Sequence, residues 1–462
     1  MDRKKTQSGN YTWDSIVFIF IFFSAISLSF SEVFASTASC LSNPNALCVS
    51  DLAVNDLRKE PNSLGLVEVY SIIALLKFEL GHTKQAELLF KEAEQIANAL
   101  DQEISRNIAH GHILINKYKA GLVLRPVEES LELLNFSPED VYDVVVGAYT
   151  GRWAKSKEYK IAVDVFYLAA KDHDPRHLEH VLDYIDHNGA GAGFDVVSEL
   201  YKNKINRCHI QLDFLLVREY VELGRLTKSI NLLTKLKNKY EDCEIMEQHR
   251  FNYEFRSALL VAKLMLSRNR KAEAKIIIDK YWEEYKEHKY GLRDGVISRL
   301  TLLTFLETFL LYDKQLFTKA TNLAIEQILK NKNDYSYYLN AVQIVRFLAK
   351  NNKVSKAFNI AMLFENPGKK IVLMSAILSS TYPLNSEASE SARIEIEKLL
   401  KYEKSIDKKN LYYSYAILLL TGSGESDVSI NIIKKMHPDL VRVLSLYLLS
   451  KHFFVTTHRQ QN

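Results

Sequence analysis

Apolar residues between positions 66 and 80 recur every three or four residues, which is the spacing of one face of a helix. They are Leu66, Val69, Tyr70, Ile73, Leu76 and Leu80. Gly81 is the residue type that often follows a helix C-terminus, and a second helical pattern then runs from Thr83 to Leu100. The pattern therefore predicts two antiparallel helices joined by a tight turn.

The second of these predicted helices carries two small residues with an aromatic residue between them on one face. This triplet occurs twice, as Ala86, Phe90 and Ala93 and again as Ala162, Phe166 and Ala169. Small residues let a neighbouring helix approach closely, and the aromatic ring fills the remaining space. Looser copies place a small residue five positions after a turn residue: Gly224 with Ser229, Asn269 with Ala274, and Asn352 with Ala357. The hairpin is therefore predicted to repeat along the chain.

The pattern resembles a degenerate tetratricopeptide repeat. The resemblance rests on Gly81 with the first triplet and on the second triplet, before which Lys157 takes the place of the turn glycine. Gly81 and Lys157 are 76 residues apart, or two units of 38, and Gly224 and Asn269 are 45 apart. Units of the family have about 34 residues. The resemblance implies an all-α fold, an α-solenoid of stacked antiparallel helical hairpins.

Composition agrees with a folded helical protein. The chain has 462 residues, 47% of them hydrophobic, with only 16 Gly and 8 Pro to interrupt helices. No segment alternates apolar and polar residues cleanly enough to predict a sheet. The net charge of +4 is too small for a nucleic-acid-binding footprint. A local basic helix edge is interpreted as a solvated face, and it consists of Lys228, Lys235, Lys237 and Lys239.

Residues 1–38 are predicted to be a secretory signal peptide. Basic residues at positions 3 to 5 precede an apolar run from Ile16 to about Phe30, and the small residues that a signal peptidase requires allow cleavage after Ala35 or Ala38. An uncleaved membrane anchor is the alternative, but the run is shorter than the about twenty residues of a membrane span. We therefore expect an exported bacterial protein, periplasmic or secreted, with no membrane span after cleavage.

The four cysteines are candidates for disulfide bonds in an oxidising compartment. Cys40 and Cys48 are separated by a turn-forming segment, so this pairing would staple the entry to the first helix, which Ser50 and Asp51 are expected to cap. Cys208 and Cys243 lie near the starts of equivalent helices in adjacent predicted hairpins. They could form a second disulfide or remain two independent buried thiols, and the sequence leaves both alternatives open. A minority interpretation places a bacterial lipid anchor on Cys40 instead.

One cluster of metal-ligand residue types occurs between positions 172 and 187. His177, His180 and Asp183 lie close to one another on a predicted helix, and imidazole and carboxylate groups are zinc ligands. The cluster lacks a His-Glu-x-x-His pair, so its specificity is low. We expect neither a metal nor another cofactor.

Three glycine- or serine-rich stretches are predicted to be connectors. The stretch at 189–193 is interpreted as a hinge, which divides the chain into helical-repeat blocks at 39–188 and 194–462. Gly422 to Gly424 is predicted to be a polar turn. The segment 379–391, with Pro383, is predicted to be the longest loop.

Because a helical array specifies a surface and not a reaction, we expect a non-catalytic scaffold of the cell envelope that binds a protein or peptide in a groove. Four tyrosines are candidate groove residues, each also a candidate core residue: Tyr70, Tyr149, Tyr220 and Tyr337. The alternatives are a metal-dependent binder or enzyme that uses the 172–187 cluster, and an exported effector acting on a host, which is suggested only by Lys-, Asn- and Ile-rich residue usage.

Overall fold

The structure is a computed structural model, and every regular element among its described residues is a helix. It describes residues 40–135, 137, 142–169, 181–182, 184–185, 196–197, 210–239, 247–287, 299–330, 335–382, 386–402, 410–437 and 439–461. The all-α class predicted from the sequence is therefore confirmed. The predicted signal peptide at 1–38 and the predicted hinge at 189–193 lie outside the described residues.

The helices belong to two compact units. The first unit combines the described residues between 40 and 124 with those between 410 and 461, and the second contains the described residues between 125 and 402. The chain enters the first unit through α1 (Ala46–Leu57), α2 (Leu64–Glu79), α3 (Thr83–Asn98) and α4 (Glu103–Lys119). The second unit contains α5 (Pro126–Asn135), α6 (Tyr142–Lys155), α7 (Tyr159–Ala169), α8 (Ile210–Glu222), α9 (Leu226–Lys239), α10 (Glu247–Ser267), α11 (Lys271–Glu287), α12 (Arg299–Tyr312), α13 (Lys314–Lys330), α14 (Tyr335–Lys350), α15 (Val354–Met362), α16 (Pro367–Thr381) and α17 (Ser386–Tyr402). The chain returns to the first unit with α18 (Asn410–Ser423), α19 (Ser426–Ile433) and α20 (Leu440–Gln461).

A left-handed residue terminates the first helix of most hairpins. Among the described residues the positive-φ positions are Gly81, Gly121, Lys157, Gly224, Asn269, Asn352 and Gly424. After each of them the next N–H donates to the carbonyl five residues earlier, as from His82 to Lys77 at 2.9 Å and from Glu158 to Trp153 at 3.0 Å. This is the Schellman arrangement, in which a positive φ reverses the chain and satisfies a helix-end carbonyl.

The small residues predicted to let a neighbouring helix approach closely are buried, and we call the helix–helix contact at these residues the seam of each hairpin. At six of the seven turns the next helix begins two residues after the left-handed position. The residue five positions after that turn residue is fully buried each time, as Ala86, Ala162, Ser229, Ala274, Ala357 and Ser429. Phe90 and Phe166 are also buried, at 2% and 1% exposure, together with Ala93 and Ala169. The turn and the seam therefore keep a constant register in both units.

Neighbouring hairpins within each unit pack through their first helices. In the first unit α2 contacts both α3 and α4. In the second unit α8, α10, α12, α14 and α16 contact one another in succession, and each packs on the second helix of its own hairpin. Stacked hairpins bury their first helices in this way because each has one neighbour on either side.

The beginning and the end of the described chain pack on each other in the first unit. Helix α1 lies against α20, and the Ser450 hydroxyl donates to the Ala46 carbonyl at 2.5 Å. Arg442 Nη1 lies 2.9 Å from Asp56 Oδ2, with side-chain exposures of 7% and 0%. Asp56 Oδ1 also lies 3.5 Å from Lys59 Nζ, whose side chain is 45% exposed, so the buried carboxylate has two cationic partners. Arg442 is the buried one of the two, and removing it would leave Asp56 only partly compensated.

A disulfide joins Cys40 and Cys48 just before and inside α1, as their spacing predicted. The predicted cap of this helix is wrong. Asn45 is the N-cap, and its side chain accepts a hydrogen bond from the Cys48 amide at 2.9 Å. Ser50 therefore lies within the helix and donates to the Leu47 carbonyl, while Asp51 pairs with the buried Lys77. The disulfide also occupies the Cys40 sulfur that a lipid anchor would need.

The predicted long loop at 379–391 is also wrong. Helix α16 continues to Thr381 and α17 begins at Ser386. The inner face of α17 is apolar in spite of its polar composition, because buried residues recur every four positions: Ala388, Ala392, Ile396 and Leu400.

Replacing Gly81 with Ala is predicted to reduce the free energy of unfolding by about 1 kcal/mol, because an L-residue in the left-handed region is strained. A Cβ at Gly81 would meet no atom within 4 Å, so the effect isolates the backbone, whose φ is +81°. Gly422→Ala in α18 is the matched control. A Cβ at Gly422 would also meet no atom within 4 Å, and Gly422 does not have a positive φ. The Gly422→Ala substitution should therefore increase the free energy of unfolding by up to about 1 kcal/mol. Urea unfolding followed by circular dichroism measures the change in unfolding free energy for each variant. Changes of the same sign in the two variants would contradict the left-handed conformation assigned to Gly81.

Replacing Arg442 with Met is predicted to destabilise the first unit by about 2 kcal/mol, since the buried Asp56 carboxylate would keep only the partly exposed Lys59 as a cationic partner. The double variant Arg442→Met/Asp56→Leu should recover most of this loss. Arg58→Met is the control, because the Arg58–Glu92 pair is 48% and 23% exposed and should contribute at most about 1 kcal/mol. Urea unfolding of the three variants tests the ranking, which fails if Arg58→Met costs as much as Arg442→Met.

Candidate interaction surface

The hairpin of α8 and α9 carries the candidate surface. Gly224, with a φ of +65°, ends α8, and the Arg225 amide donates to the Tyr220 carbonyl at 2.7 Å. Arg268 Nη2 donates to the Gly224 carbonyl, and a Cβ at Gly224 would lie 2.9 Å from that nitrogen. The positive φ favours glycine here, and a Cβ would in addition require the end of the flexible Arg268 side chain to shift.

A shallow recess of about 190 Å³ lies between the two helices and opens to solvent. Its lining is Leu216, Tyr220, Lys228, Asn231, Leu232 and Lys235. Leu216 and Tyr220 are four residues apart on α8, and the α9 residues recur at intervals of three, one and three. Both spacings place side chains on one helix face, so the antiparallel pair presents the two sets to the same depression.

The recess has an apolar floor and a basic rim. Leu216 and Leu232 are 4% and 8% exposed, whereas Lys228 and Lys235 are exposed. Lys228 Nζ lies 5.7 Å from the centroid of the Tyr220 ring, within range of a cation–π interaction. Among the described residues, neither rim lysine has a carboxylate within ion-pair distance, in contrast to Lys263, which lies 2.6 Å from Glu307.

The nearest acidic residue along α8 does not neutralise this rim. Glu219 precedes Tyr220, but it is buried and lies 3.2 Å from Arg218 Nη2 in an ion pair of 7% and 2% exposure. Helix α9 contributes only positive charge, because its sequence contains four lysines and no acidic residue. The surface is therefore locally basic although the whole chain is nearly neutral.

The size of the recess limits what it can hold. Small-molecule and cofactor pockets usually enclose about 300 Å³ or more, and they cover most of the ligand surface. This depression is smaller and open, so it accommodates one or two side chains of a larger partner rather than a whole cofactor. Its chemistry combines apolar contact with attraction for negative charge.

No protein-family model matches the chain, and no curated protein matches its sequence.

The structure separates the four candidate tyrosines. Tyr70 and Tyr149 belong to the core, at 4% and 0% exposure, and burial raises the pKa of the Tyr149 hydroxyl. Tyr220 is half-buried and lines the recess. The side chain of Tyr337 lies outside the described part of the chain. One of the four is thus placed at a surface where it can contact a partner.

The predicted metal cluster and one cysteine pair remain predictions. His177, His180, Asp183, Cys208 and Cys243 all lie outside the described residues. Within the part of the chain that the structure describes, no three His, Cys, Asp or Glu side chains converge closely enough to hold a metal ion. No helix in that same part is both long and apolar enough to cross a membrane.

Sequence reasoning identified the basic residues of this surface but not its apolar floor. The predicted solvated edge includes Lys228 and Lys235, whereas Leu216, Asn231 and Leu232 each belong to an ordinary helical pattern that does not distinguish them from other helix positions. The available signal was the turn at Gly224. Pairing α8 with α9 across that turn places Tyr220 opposite Lys228 and predicts which face the two helices share.

Proposed function

We propose that this chain is a non-catalytic protein-interaction scaffold, a tetratricopeptide-like α-solenoid that binds a peptide or protein partner. The observation that carries the proposal is the constant register of turn and seam. A left-handed residue, a helix start two residues later and a buried small residue five residues later recur from Gly81 to Gly424. Repetition of one hairpin creates an extended surface without requiring a reaction centre.

Exposed apolar side chains on helices and turns supply contact area for such a partner. Large apolar side chains are more than half exposed at Leu124, Val144, Leu168, Leu223, Ile276, Leu311, Met362 and Ile394. Single exposed apolar residues are ordinary on protein surfaces, but the recess on α8 and α9 adds a half-buried tyrosine and a basic rim. Tyrosine is enriched in protein interfaces because it combines apolar area with a polar hydroxyl.

We further propose that the protein is exported through the segment 1–38 and works in the periplasm or outside the cell. The Cys40–Cys48 disulfide supports this proposal, because such bonds persist in oxidising compartments and are rare in the bacterial cytosol. Cleavage after Ala35 or Ala38 would leave Cys40 close to the new N-terminus. The disulfide would then hold this short segment against the start of α1.

Affinity purification of the full chain from crosslinked cells should recover a protein partner that an unrelated exported protein, carrying the same tag, does not retain. Complementary surfaces hold a partner through shape and charge, so the purified pair should also associate without crosslinking at a defined stoichiometry. Isothermal titration calorimetry measures that association. The scaffold proposal fails if no protein exceeds the control in either sample.

Mass spectrometry of the protein isolated from its native cells should show a mature chain that begins at Ser36 or Ser39, with Cys40 and Cys48 protected from alkylation. Reduction before alkylation should label both thiols. Replacing both cysteines with Ser should destabilise the folded state by about 2 kcal/mol, the loop-closure contribution for so short a loop. An intact N-terminus together with free thiols would contradict export.

A further inference from the structure

We propose that the recess between α8 and α9 binds an acidic peptide segment in which an apolar side chain lies between two carboxylates. The inference rests on the proposed scaffold function and specifies the chemistry of the partner at this surface. It combines three features of the described residues: an apolar floor, a basic rim whose lysines have no acidic partner, and a volume of side-chain size.

The floor selects an apolar side chain. Leu216 and Leu232 form the buried base, and the Tyr220 ring forms part of the wall. A leucine-sized group that enters the recess exchanges water for apolar contact on several sides. A fully polar ligand would leave this floor without a partner, so the surface discriminates against simple anions.

The rim selects two separated negative charges. Lys228 and Lys235 are seven residues apart on α9, which corresponds to two turns and about 10 Å along the helix axis. A single carboxylate or phosphate would contact both ammonium groups only if the two lysine side chains converged on it. Two acidic groups can each contact one ammonium group, and the flexible lysine stems allow each to adjust by a few ångströms.

An extended peptide supplies the matching pattern. Alternate side chains of an extended chain point to one side and are about 7 Å apart, so residues four apart lie about 13 Å apart. The order acidic, any, apolar, any, acidic therefore directs one apolar and two charged groups towards the same surface. Asn231 lies between the lysines on α9, where its amide can donate to or accept from the peptide backbone.

The direct test uses a fluorescein-labelled peptide with the core Glu-Ser-Leu-Ser-Glu and the full-length mature chain. Fluorescence anisotropy at low salt should show saturable binding, and replacing both glutamates with Gln should weaken it by about tenfold or more. The variant Lys228→Glu/Lys235→Glu should lose a similar factor, because each favourable contact becomes repulsive. Circular dichroism verifies that the variant remains folded.

Lys84→Glu/Lys91→Glu is the matched control. These two lysines have the same spacing on α3, the second helix of another hairpin, and both are exposed. The control changes the net charge by the same amount but should leave peptide affinity within about twofold, because it alters only screened long-range interactions. Equal loss in the two variants would overturn the proposal and indicate a non-specific response to net charge.

A charge exchange provides a gain of binding that a folding defect cannot imitate. The Lys228→Glu/Lys235→Glu variant should bind a Lys-Ser-Leu-Ser-Lys peptide better than the wild-type chain does. Replacing the central Leu with Ser should weaken the original peptide, because the floor loses its contact. The proposal would be overturned if either of these two results failed, or if the wild-type chain did not bind the acidic peptide. It would also be overturned if the wild-type chain bound a labelled single-stranded oligonucleotide more tightly than the acidic peptide.

Retention of the cellular partner separates this inference from the scaffold proposal. If the wild-type chain retains a partner and the Lys228→Glu/Lys235→Glu variant retains it equally well, the scaffold proposal stands and the acidic-segment proposal fails. If no form of the chain retains a partner, the scaffold proposal fails whatever the peptide does. Both proposals are supported when the variant loses the partner and the Lys84→Glu/Lys91→Glu control keeps it.

Discussion

The left-handed helix cap is the local constraint on which the described hairpins depend. A residue with positive φ, such as Gly81, Lys157 or Asn352, reverses the chain within two residues and satisfies a carbonyl at the end of the first helix. Because the next helix begins at a fixed distance from that residue, the cap also determines which residue faces back. At six of the seven turns the small residue five positions later is therefore buried. Backbone geometry thus specifies side-chain packing.

Packing at the seams explains why turn residues vary more than seam residues do. The left-handed position is occupied by Gly, Lys or Asn, since the strain of a side chain there is only about 1 to 2 kcal/mol. A large side chain at Ala86 or Ala162 would instead have to displace a neighbouring helix in a close-packed interior, where overpacking strains the whole seam. The buried Asp56–Arg442 pair adds a different kind of specificity, because it joins helices from the two ends of the chain. No local turn can bring such distant segments together.

The sequence indicated the hairpins because their determinants are local. Gly81, Lys157, Gly224, Asn269 and Asn352 were identified from spacing, and each has a positive φ. Gly424 is predicted only as part of a polar turn, although Ser429 is also a buried small residue five positions after a left-handed residue. The sequence predicts a loop at 379–391 because Ser and Glu residues obscure the four-residue period of α17. The contact between α1 and α20 could not be predicted, because it depends on residues nearly the whole chain apart.

The candidate surface was only half visible in the sequence for a related reason. Periodicity identifies residues that face the core, and it treats everything on the opposite face as solvated. It accordingly predicts an exposed edge at Lys228 and Lys235, and it does not distinguish Leu216 and Leu232 from other core positions. Their combination emerges only when α8 and α9 are paired across Gly224, because the recess draws its floor from both helices. A repeated fold leaves its outer faces free to vary, so binding chemistry in such a chain arises where neighbouring faces meet, not in any single motif.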